Sequence, residues 1–248
     1  MHRKVSLLKV PRLLAAAALA AGLLLTSSSS SAGAQTALNC FGASPTKVGT
    51  ESSETITGTS GADVIAGLGG DDLIRGLGGA DRICGGDGNE SGDGKGILGG
   101  GGADKLSGDQ GDDFLLGGTA NDVLRGAAGF DALYGEVADD RISGGGGGDL
   151  LSGDAVPGGG GVGNPSPPGD DTLNGGSGGD TLLDDTNSAG EVDIDELVGG
   201  SGDDQLNARD QDAADFLDGG TQVQFGDFCQ ADAGQPGVGE DAVVNCEL

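Results

Sequence analysis

The chain has 248 residues, of which 55 are Gly and 40 are Asp or Glu, against 12 Lys or Arg, 3% aromatic residues and no Trp. This composition excludes a large aromatic core. The formal net charge of −28 opposes binding to nucleic acid or to anionic membranes, so cations are the expected partners. The single histidine, His2, lies in a predicted targeting segment, which leaves no imidazole for a histidine-based triad or a zinc hydrolase site.

Residues 1–34 have the features of a secretory signal peptide. An apolar run covers residues 13–25, and Ala32-Gly33-Ala34 fits a small-residue cleavage site. The basic residues that open the segment are Arg3, Lys4, Lys9 and Arg12. The run is shorter than the roughly 20 residues that span a bilayer, so we expect cleavage near Ala34, no membrane insertion and a secreted, extracellular protein. Cleavage would take the net charge from −28 to −32.

All 4 cysteines lie after the predicted cleavage site, and an even number in an oxidising compartment favours disulfides. Sequence alone permits three pairings. We favour Cys40 with Cys84 and Cys229 with Cys246, because each bond would join one end of the chain to the repeat pattern described next. A thiolate metal or redox site is the weaker interpretation, since the sequence has no CxxC pair.

The strongest signal in the sequence is a nine-residue repeat of the form Gly-Gly-x-Gly-x-Asp-x-aliphatic-x. Its in-phase aspartates are the predicted metal ligands: Asp63, Asp72, Asp81, Asp104, Asp113, Asp122, Asp131, Asp140, Asp149, Asp171, Asp180 and Asp204. A large aliphatic residue follows each of them by two positions, beginning with Ile65 and ending with Leu206. Glu54 and Asp195 also fit the frame, and Asp215 and Asp241 continue it less regularly.

The two halves of the repeat have different physical roles. The glycines permit positive φ angles and close backbone approach, so their carbonyls can converge on an ion to which the aspartate adds a charged oxygen. The Asp-x-aliphatic-x half is predicted to be a very short strand, and two repeats form one coil of a parallel, right-handed stack. One aliphatic side chain per repeat is too little burial to offset ordering costs of roughly 1–2 kcal/mol per residue, so ion ligation must supply the rest.

This nonapeptide resembles the repeat of the RTX, or haemolysin-type, calcium-binding proteins, and the resemblance covers about residues 54–244. It implies an all-β fold, the right-handed parallel β-roll, with several Ca²⁺ ions chelated between neighbouring coils by glycine-region carbonyls and the repeat aspartates. Beyond the repeat, segments such as Cys40-Phe41-Gly42 and Ile83-Cys84-Gly85-Gly86 are similar to those of small exported bacterial proteins made almost wholly of these repeats. An acidic, Gly-rich disordered linker would explain the composition but not the unbroken phase.

The pattern divides the chain into segments. We predict a signal peptide over 1–34, an N-terminal cap over 35–53, β-roll repeats over 54–153, a Gly/Pro-rich loop over 154–168, further β-roll repeats over 169–218 and a C-terminal cap with degenerate repeats over 219–248. The breaks at about 87–94, 154–168 and 184–190 are interpreted as loops, and passive excursions are favoured over functional protrusions.

Departures from the repeat predict where binding is weak. Ala120 and Ala138 replace the fourth-position glycine in the units of Asp122 and Asp140, which share an edge of the roll because they are two repeats apart. The opposite edge keeps this glycine, at Gly111, Gly129 and Gly147. The opposite edge is therefore expected to bind calcium more tightly.

Three classes of function are compatible with these features. We favour an exported, non-enzymatic protein that folds on binding Ca²⁺. A cell-surface or matrix interaction protein that uses the roll as a scaffold is the alternative, its partner unknown, and a secreted hydrolase or toxin remnant is the weakest. A G-x-S-x-G pattern over residues 175–179 lies in a repeat glycine block and has no histidine partner, so no catalytic residue is predicted.

Overall fold

The computed structural model describes residues 39–92, 94–153, 169–183, 194–208, 215–221, 226–231 and 242–246. These belong to one compact unit spanning residues 36–248. The predicted signal peptide and the predicted loops over 154–168 and 184–190 lie outside the described residues. Within the described residues, no helix is long and apolar enough to cross a membrane.

The described ranges contain strands and turns but no helix. In chain order the strands are β1 (Lys47–Val48), β2 (Thr55–Thr59), β3 (Val64–Gly69), β4 (Leu73–Gly78), β5 (Arg82–Asp87), β6 (Gly96–Gly101), β7 (Lys105–Gln110), β8 (Phe114–Thr119), β9 (Val123–Ala128) and β10 (Ala132–Val137). The series continues with β11 (Arg141–Gly146), β12 (Leu150–Ser152), β13 (Thr172–Ser177), β14 (Thr181–Leu183), β15 (Glu196–Ser201), β16 (Gln205–Ala208), β17 (Phe216–Asp218), β18 (Phe228–Ala231) and β19 (Ala242–Val244). β1 lies in the predicted N-terminal cap, and β18 and β19 lie in the predicted C-terminal cap.

Successive strands alternate between two sheets. The odd-numbered strands form a 10-stranded sheet and the even-numbered strands a 9-stranded sheet, each in chain order. Every pairing is parallel and joins residues one coil apart, as Ile65 pairs with Ile83. The predicted parallel β-roll, with alternate repeats on the same edge, is therefore confirmed.

The core is a stack of single aliphatic side chains, one from each of the strands β3 to β17. The second residue of each of these strands points inward and is at most 2% exposed. They are Ile65, Ile74, Ile83, Ile97, Leu106, Leu115, Leu124, Leu133, Ile142, Leu151, Leu173, Leu182, Leu197, Leu206 and Leu217. Because side chains alternate between the faces of a strand, the first and third residues face outward.

The strands are longer than the sequence predicts. A full strand has 6 residues and includes the first glycines of the following repeat, as in β3. The glycines pair in the ladder because each lies beside the equivalent glycine of the neighbouring coil, as Gly100 lies beside Gly118. The turns are correspondingly short and end at the repeat aspartates.

The loop predicted at about 87–94 falls in the break between β5, which ends at Asp87, and β6, which begins at Gly96. Residues 87–90 continue the roll: Asp87 ends β5, and Glu90 occupies the position of a repeat aspartate. The inserted residues are 91–95, after which β6 pairs with β4 and places Ile97 in the core. The insertion is tolerated because it enters a turn and leaves both ladders intact.

Both predicted disulfides are present, Cys40–Cys84 and Cys229–Cys246, each with a Cα–Cα distance of 5.8 Å. Cys84 is the third residue of β5 and faces outward, so the first bond holds the N-terminal segment on the outer face of the 10-stranded sheet. There Phe41 lies against Arg125 of β9, with the guanidinium carbon 5.4 Å from the ring centroid. Cys229 belongs to the core stack, which Cys246 contacts.

Candidate metal sites

Buried carboxylates form two rows, one along each edge of the roll. We call them the ten-strand row and the nine-strand row, after the sheet whose strands the residues precede. The ten-strand row contains Asp63, Asp81, Asp104, Asp122, Asp140, Asp171, Asp195 and Asp215. The nine-strand row contains Asp72, Glu90, Asp113, Asp131, Asp149, Asp180, Asp204 and Asp227. All twelve predicted ligands therefore lie in these rows.

Hydrogen bonds between coils fix each carboxylate. The backbone N–H of Asp113 donates to Oδ1 of Asp131 at 2.9 Å, and that of Asp131 donates to Oδ1 of Asp149 at 2.9 Å. The same bond repeats along the ten-strand row, as from Asp104 to Asp122 at 2.7 Å. Each side chain is thereby held with one oxygen in the ladder and the other directed into the turn.

The second carboxylate oxygen has no hydrogen-bond partner at most of these positions, although it is buried. This holds for one oxygen each of Asp72, Asp81, Glu90, Asp104, Asp113, Asp122, Asp131, Asp140, Asp149, Asp180 and Asp204. An unsatisfied buried carboxylate oxygen is costly, and a bound cation is the usual compensation. The rows therefore provide a regular series of negatively charged oxygens without a hydrogen-bond donor.

The first glycine of each repeat makes room for this oxygen. A Cβ at Gly126 would lie 2.1 Å from Oδ2 of Asp131 and 2.7 Å from the carbonyl oxygen of Gly144 in the next coil. A Cβ at Gly117 would meet Oδ2 of Asp122 at 2.5 Å and the carbonyl oxygen of Gly135 at 2.6 Å. A carboxylate oxygen and a carbonyl oxygen from successive coils thus approach one another.

This donor set fits a hard cation. Ca²⁺ prefers carboxylate and carbonyl oxygens, and the described residues offer both without nitrogen or sulfur ligands at the rows. No cluster of three or more His, Cys, Asp or Glu side chains suited to a metal occurs in the described part of the chain. An ion bound here must therefore take many of its ligands from main-chain carbonyls.

Burial opposes ionisation of the row carboxylates. It raises the pKa of Asp122 to about 8 and the pKa values of Asp131 and Asp140 to about 7. The pKa values of Asp104, Asp180 and Asp204 rise to about 6 for the same reason. Hydrogen bonds from backbone N–H groups act in the opposite direction but do not cancel the effect of burial.

Asp63, at the N-terminal end of its row, differs from the others. Its Oδ2 accepts hydrogen bonds from the backbone N–H and the hydroxyl of Thr59, at 2.6 and 2.8 Å, and its Oδ1 lies 3.5 Å from Nζ of Lys47. Burial pushes the pKa of Asp63 upward, but these donors outweigh it and lower the pKa. Of the predicted ligands, Asp63 is thus the one whose charge a lysine already compensates.

Sequence reasoning missed some members of the rows. Glu90 accepts the N–H of Asp72 at 3.5 Å and donates its own N–H to Asp113 at 2.8 Å. It lies nine residues after Asp81 and follows Gly85-Gly86, but residue 92, two positions later, is glycine and not aliphatic, so only half of the motif marks it. Asp195 and Asp215 were placed in the frame but not among the ligands. Asp227 follows an irregular segment, and no in-phase signal marks it; Asp241 lies outside the described residues.

The two rows differ at the fourth repeat position as the sequence suggests. Ala120 and Ala138 adopt φ angles of 79° and 81°, whereas Gly129 and Gly147 take 145° and 143°. A Cβ at Gly129 would lie 1.9 Å from the carbonyl oxygen of Gly111, so glycine is required there. Alanine pays roughly 1–2 kcal/mol for a left-handed conformation, which makes the turns of the ten-strand row strained at these two positions.

Comparison with known families identifies the chain. The model for the RTX calcium-binding nonapeptide repeat (4 copies) matches residues 48–89, 97–124, 116–151, 168–182 and 190–222. These ranges cover more than half of the chain, and the gap before residue 97 coincides with the insertion after Glu90. The chain therefore belongs to the RTX calcium-binding repeat family. Among curated proteins, none matches the chain.

The importance of the space at Gly126, beside Oδ2 of Asp131, can be tested by adding a single methyl group. Gly126→Ala should destabilise the calcium-loaded protein by about 3 kcal/mol, because the methyl group overlaps Oδ2 of Asp131 and the Gly144 carbonyl oxygen. Gly146→Ala is the matched control, since its nearest neighbours are Ser177 Oγ at 3.4 Å and the Ala127 carbonyl oxygen at 3.8 Å. Urea unfolding in calcium measures both. Equal losses would show that the oxygen approach is unimportant.

The raised pKa values predict how the metal-free protein responds to pH. The folded-state pKa values of about 6 to 8 exceed the usual 3.8, so the folded chain binds more protons than the unfolded chain between these limits. Stability without metal is therefore greatest below about pH 4 and is lost as the pH rises through 6 to 8. Circular dichroism of protein from which metal has been removed by dialysis should show a loss of β structure as the pH rises. An increase in β structure with rising pH would contradict the prediction.

Proposed function

We propose that this RTX-family chain is an exported, non-enzymatic calcium-binding protein that folds as Ca²⁺ binds between successive coils. The observation that carries the proposal is the series of buried carboxylate oxygens that lack a hydrogen-bond donor. Most of them face the glycine-rich turn beside a carbonyl oxygen of the next coil, as at Asp131. Calcium is the partner that compensates this charge, and Ca²⁺ is the cofactor we assign to the rows.

The proposed ligands follow from the described contacts. We assign calcium to the predicted aspartates from Asp72 to Asp204 by their position in the rows and add Glu90, which has the same position and, like Asp131, an unsatisfied oxygen. Asp63 is left out because Lys47 and Thr59 already satisfy it. When bound, calcium would neutralise neighbouring carboxylates and hold successive coils together; the side chains are positioned for this by their backbone hydrogen bonds.

Energetics support folding that is coupled to calcium. The core contributes one aliphatic side chain per strand, worth about 1.5–3 kcal/mol when fully buried. Ordering nine residues costs far more, at roughly 1–2 kcal/mol per residue. Repulsion within a chain of net charge −28 adds to this cost. Binding only to the folded state supplies the missing stability by mass action.

Two features support an extracellular location. The N-terminal 34 residues have the composition of a signal peptide, and both disulfides join cysteines after it. Disulfides persist in oxidising compartments, where calcium is also abundant. A chain that crosses the membrane unfolded and meets calcium outside would fold only after export.

The described side chains favour binding over catalysis. Ser177, the serine of the G-x-S-x-G pattern, lies at the end of β13, and its hydroxyl donates to the carbonyl oxygen of Gly145 at 3.4 Å. It pairs with Gly146 and Ser201 on the adjoining strands, and neither residue is a base. An interaction protein that uses the roll as a scaffold remains the second candidate, and the surface described in the next subsection favours it.

Calcium-linked folding is tested by titration. We expect far-UV circular dichroism to change from coil-like to β-rich as calcium is added at about 0.1–1 mM, the range of extracellular modules. Sodium chloride at equal ionic strength is the control, because it screens charge without ligating the rows. A metal-free sample at pH 7.5 that keeps an unchanged β spectrum and a sharp melting transition would disprove the proposal.

A charge-matched pair of variants separates specific sites from a generally acidic surface. Asp131→Asn should raise the calcium midpoint about tenfold, equivalent to about 1.4 kcal/mol, because it replaces the charged oxygen beside Gly126. Asp139→Asn removes the same charge from an exposed side chain bound by Asn121 at 3.1 Å, and we expect little change.

Equal shifts for the two variants would mean that overall charge governs the response. Asp122→Asn extends the test to the ten-strand row. Its shift should be smaller than that of Asp131→Asn if the strained turn at Ala120 makes calcium binding weaker there, as we predict.

A further inference from the structure

The outer face of the 10-stranded sheet carries a concentrated patch of positive charge. Arg82, Lys105, Arg125 and Arg141 are the first or third residues of β5, β7, β9 and β11, which are consecutive in the sheet. Arg82 pairs directly with Lys105, and Val123 separates Lys105 from Arg141. With strands about 4.8 Å apart, these four cations, which we call the basic patch, extend over about 15 Å.

The basic patch is not neutralised by its own strands. Their other first and third positions hold Cys84, Ser107, Val123 and Ser143. The carboxylates of these strands are Asp87, the last residue of β5, and Asp109, the fifth residue of β7, which accepts a hydrogen bond from the Ser107 hydroxyl at 2.6 Å. Between described residues the one ion pair within 4.0 Å joins Lys47 to Asp63 and includes no side chain of the patch, although the backbone N–H of Arg82 donates to the Asp63 carbonyl oxygen at 2.9 Å. In a chain with 40 acidic and 12 basic residues, this separation of charge requires an explanation.

The chemistry of the surrounding face indicates the kind of partner. Ser143, Thr172 and Asn174 lie beside Arg141 and Arg125 on adjoining strands and present hydroxyl and amide groups. Arginine binds carboxylate and sulfate groups with two parallel hydrogen bonds, while hydroxyl and amide groups suit the hydroxyls of a sugar. A linear polymer with anionic groups separated by hydroxyl-bearing rings matches this mixture.

Nucleic acid fits the same face poorly. Single strands bind on series of aromatic side chains, and the outward positions of β5, β7, β9, β11 and β13 carry none. Phe41, which lies next to the Cys40–Cys84 bond, already contacts Arg125. We propose that the basic patch binds an acidic polysaccharide on the outer face of the 10-stranded sheet, along the direction in which the coils stack and beside the N-terminal segment that the Cys40–Cys84 bond holds there.

The inference rests on the proposed function only in requiring the folded, calcium-loaded roll. The net charge of −28 repels a polyanion at long range, and calcium bound in the rows would weaken that repulsion. Binding is therefore expected to be short-ranged and to weaken with added salt.

The test measures binding of short hyaluronan oligosaccharides, which carry carboxylates, to the full mature protein in saturating calcium. The double variant Lys105→Gln/Arg141→Gln should weaken binding at least about tenfold, since it removes two charged contacts. Arg75→Gln is the matched control: Arg75 is exposed on the outer face of the 9-stranded sheet, so its loss should change affinity less than about twofold. Neutral dextran should not bind.

Circular dichroism in calcium, recorded for each variant, separates failure to fold from failure to bind. The proposal is overturned if folded wild-type protein does not bind the oligosaccharides, or if Arg75→Gln weakens binding as much as the double variant. It is also overturned if polyphosphate binds the patch more tightly than hyaluronan, or if sedimentation shows that the double variant abolishes self-association, which would identify a second copy as the partner.

Discussion

The fold depends on a buried carboxylate oxygen without a hydrogen-bond donor, which recurs along both rows, as at Asp113, Asp122 and Asp131. One oxygen of each aspartate belongs to the backbone ladder, and this bond sets the spacing between coils, as between Asp113 and Asp131. The other oxygen carries charge into a turn where water is largely excluded. Because the core is a single stack of aliphatic side chains, the compensation of this charge decides whether the roll forms. Calcium-dependent folding is thus a consequence of a small core combined with unsatisfied buried charge.

At the two ends of the roll, no further coil is present to compensate buried charge or to cover the core. At the N-terminal end, Lys47 supplies a cation to Asp63, so a side chain takes the role that we assign to calcium farther along the row. At the C-terminal end, Cys229 takes the place of an aliphatic residue in the core and is bonded to Cys246. The Lys47–Asp63 ion pair and the Cys229–Cys246 disulfide thus take the place of contacts that a further coil would make.

Much of this architecture follows from the sequence because the repeat fixes both period and phase. The aliphatic position predicts the core, and the alternation of repeats predicts two parallel sheets, including the edge shared by Asp122 and Asp140. The nine-residue pattern could not show which residues are inserted between two repeats, because residues 91–95 resemble the other Gly-rich segments. Asp227 follows irregular spacing, and the pairing of Lys47 with Asp63 depends on a contact between segments that no periodicity relates.

The first glycine of the repeat matters for the proposed metal site because its missing side chain leaves space for the carboxylate oxygen. At Gly126 the backbone does not require a positive φ, and yet a methyl group would occupy the space between Oδ2 of Asp131 and the next coil. The first glycine of the repeat is therefore part of the proposed metal site, although it contributes no side-chain ligand. The same reasoning explains why a buried aspartate can directly precede an outward cation, as Asp104 precedes Lys105. The row carboxylates lie at the turns, where glycine leaves space for a cation. The outward positions of the strands are not part of these sites and can therefore carry positively charged side chains.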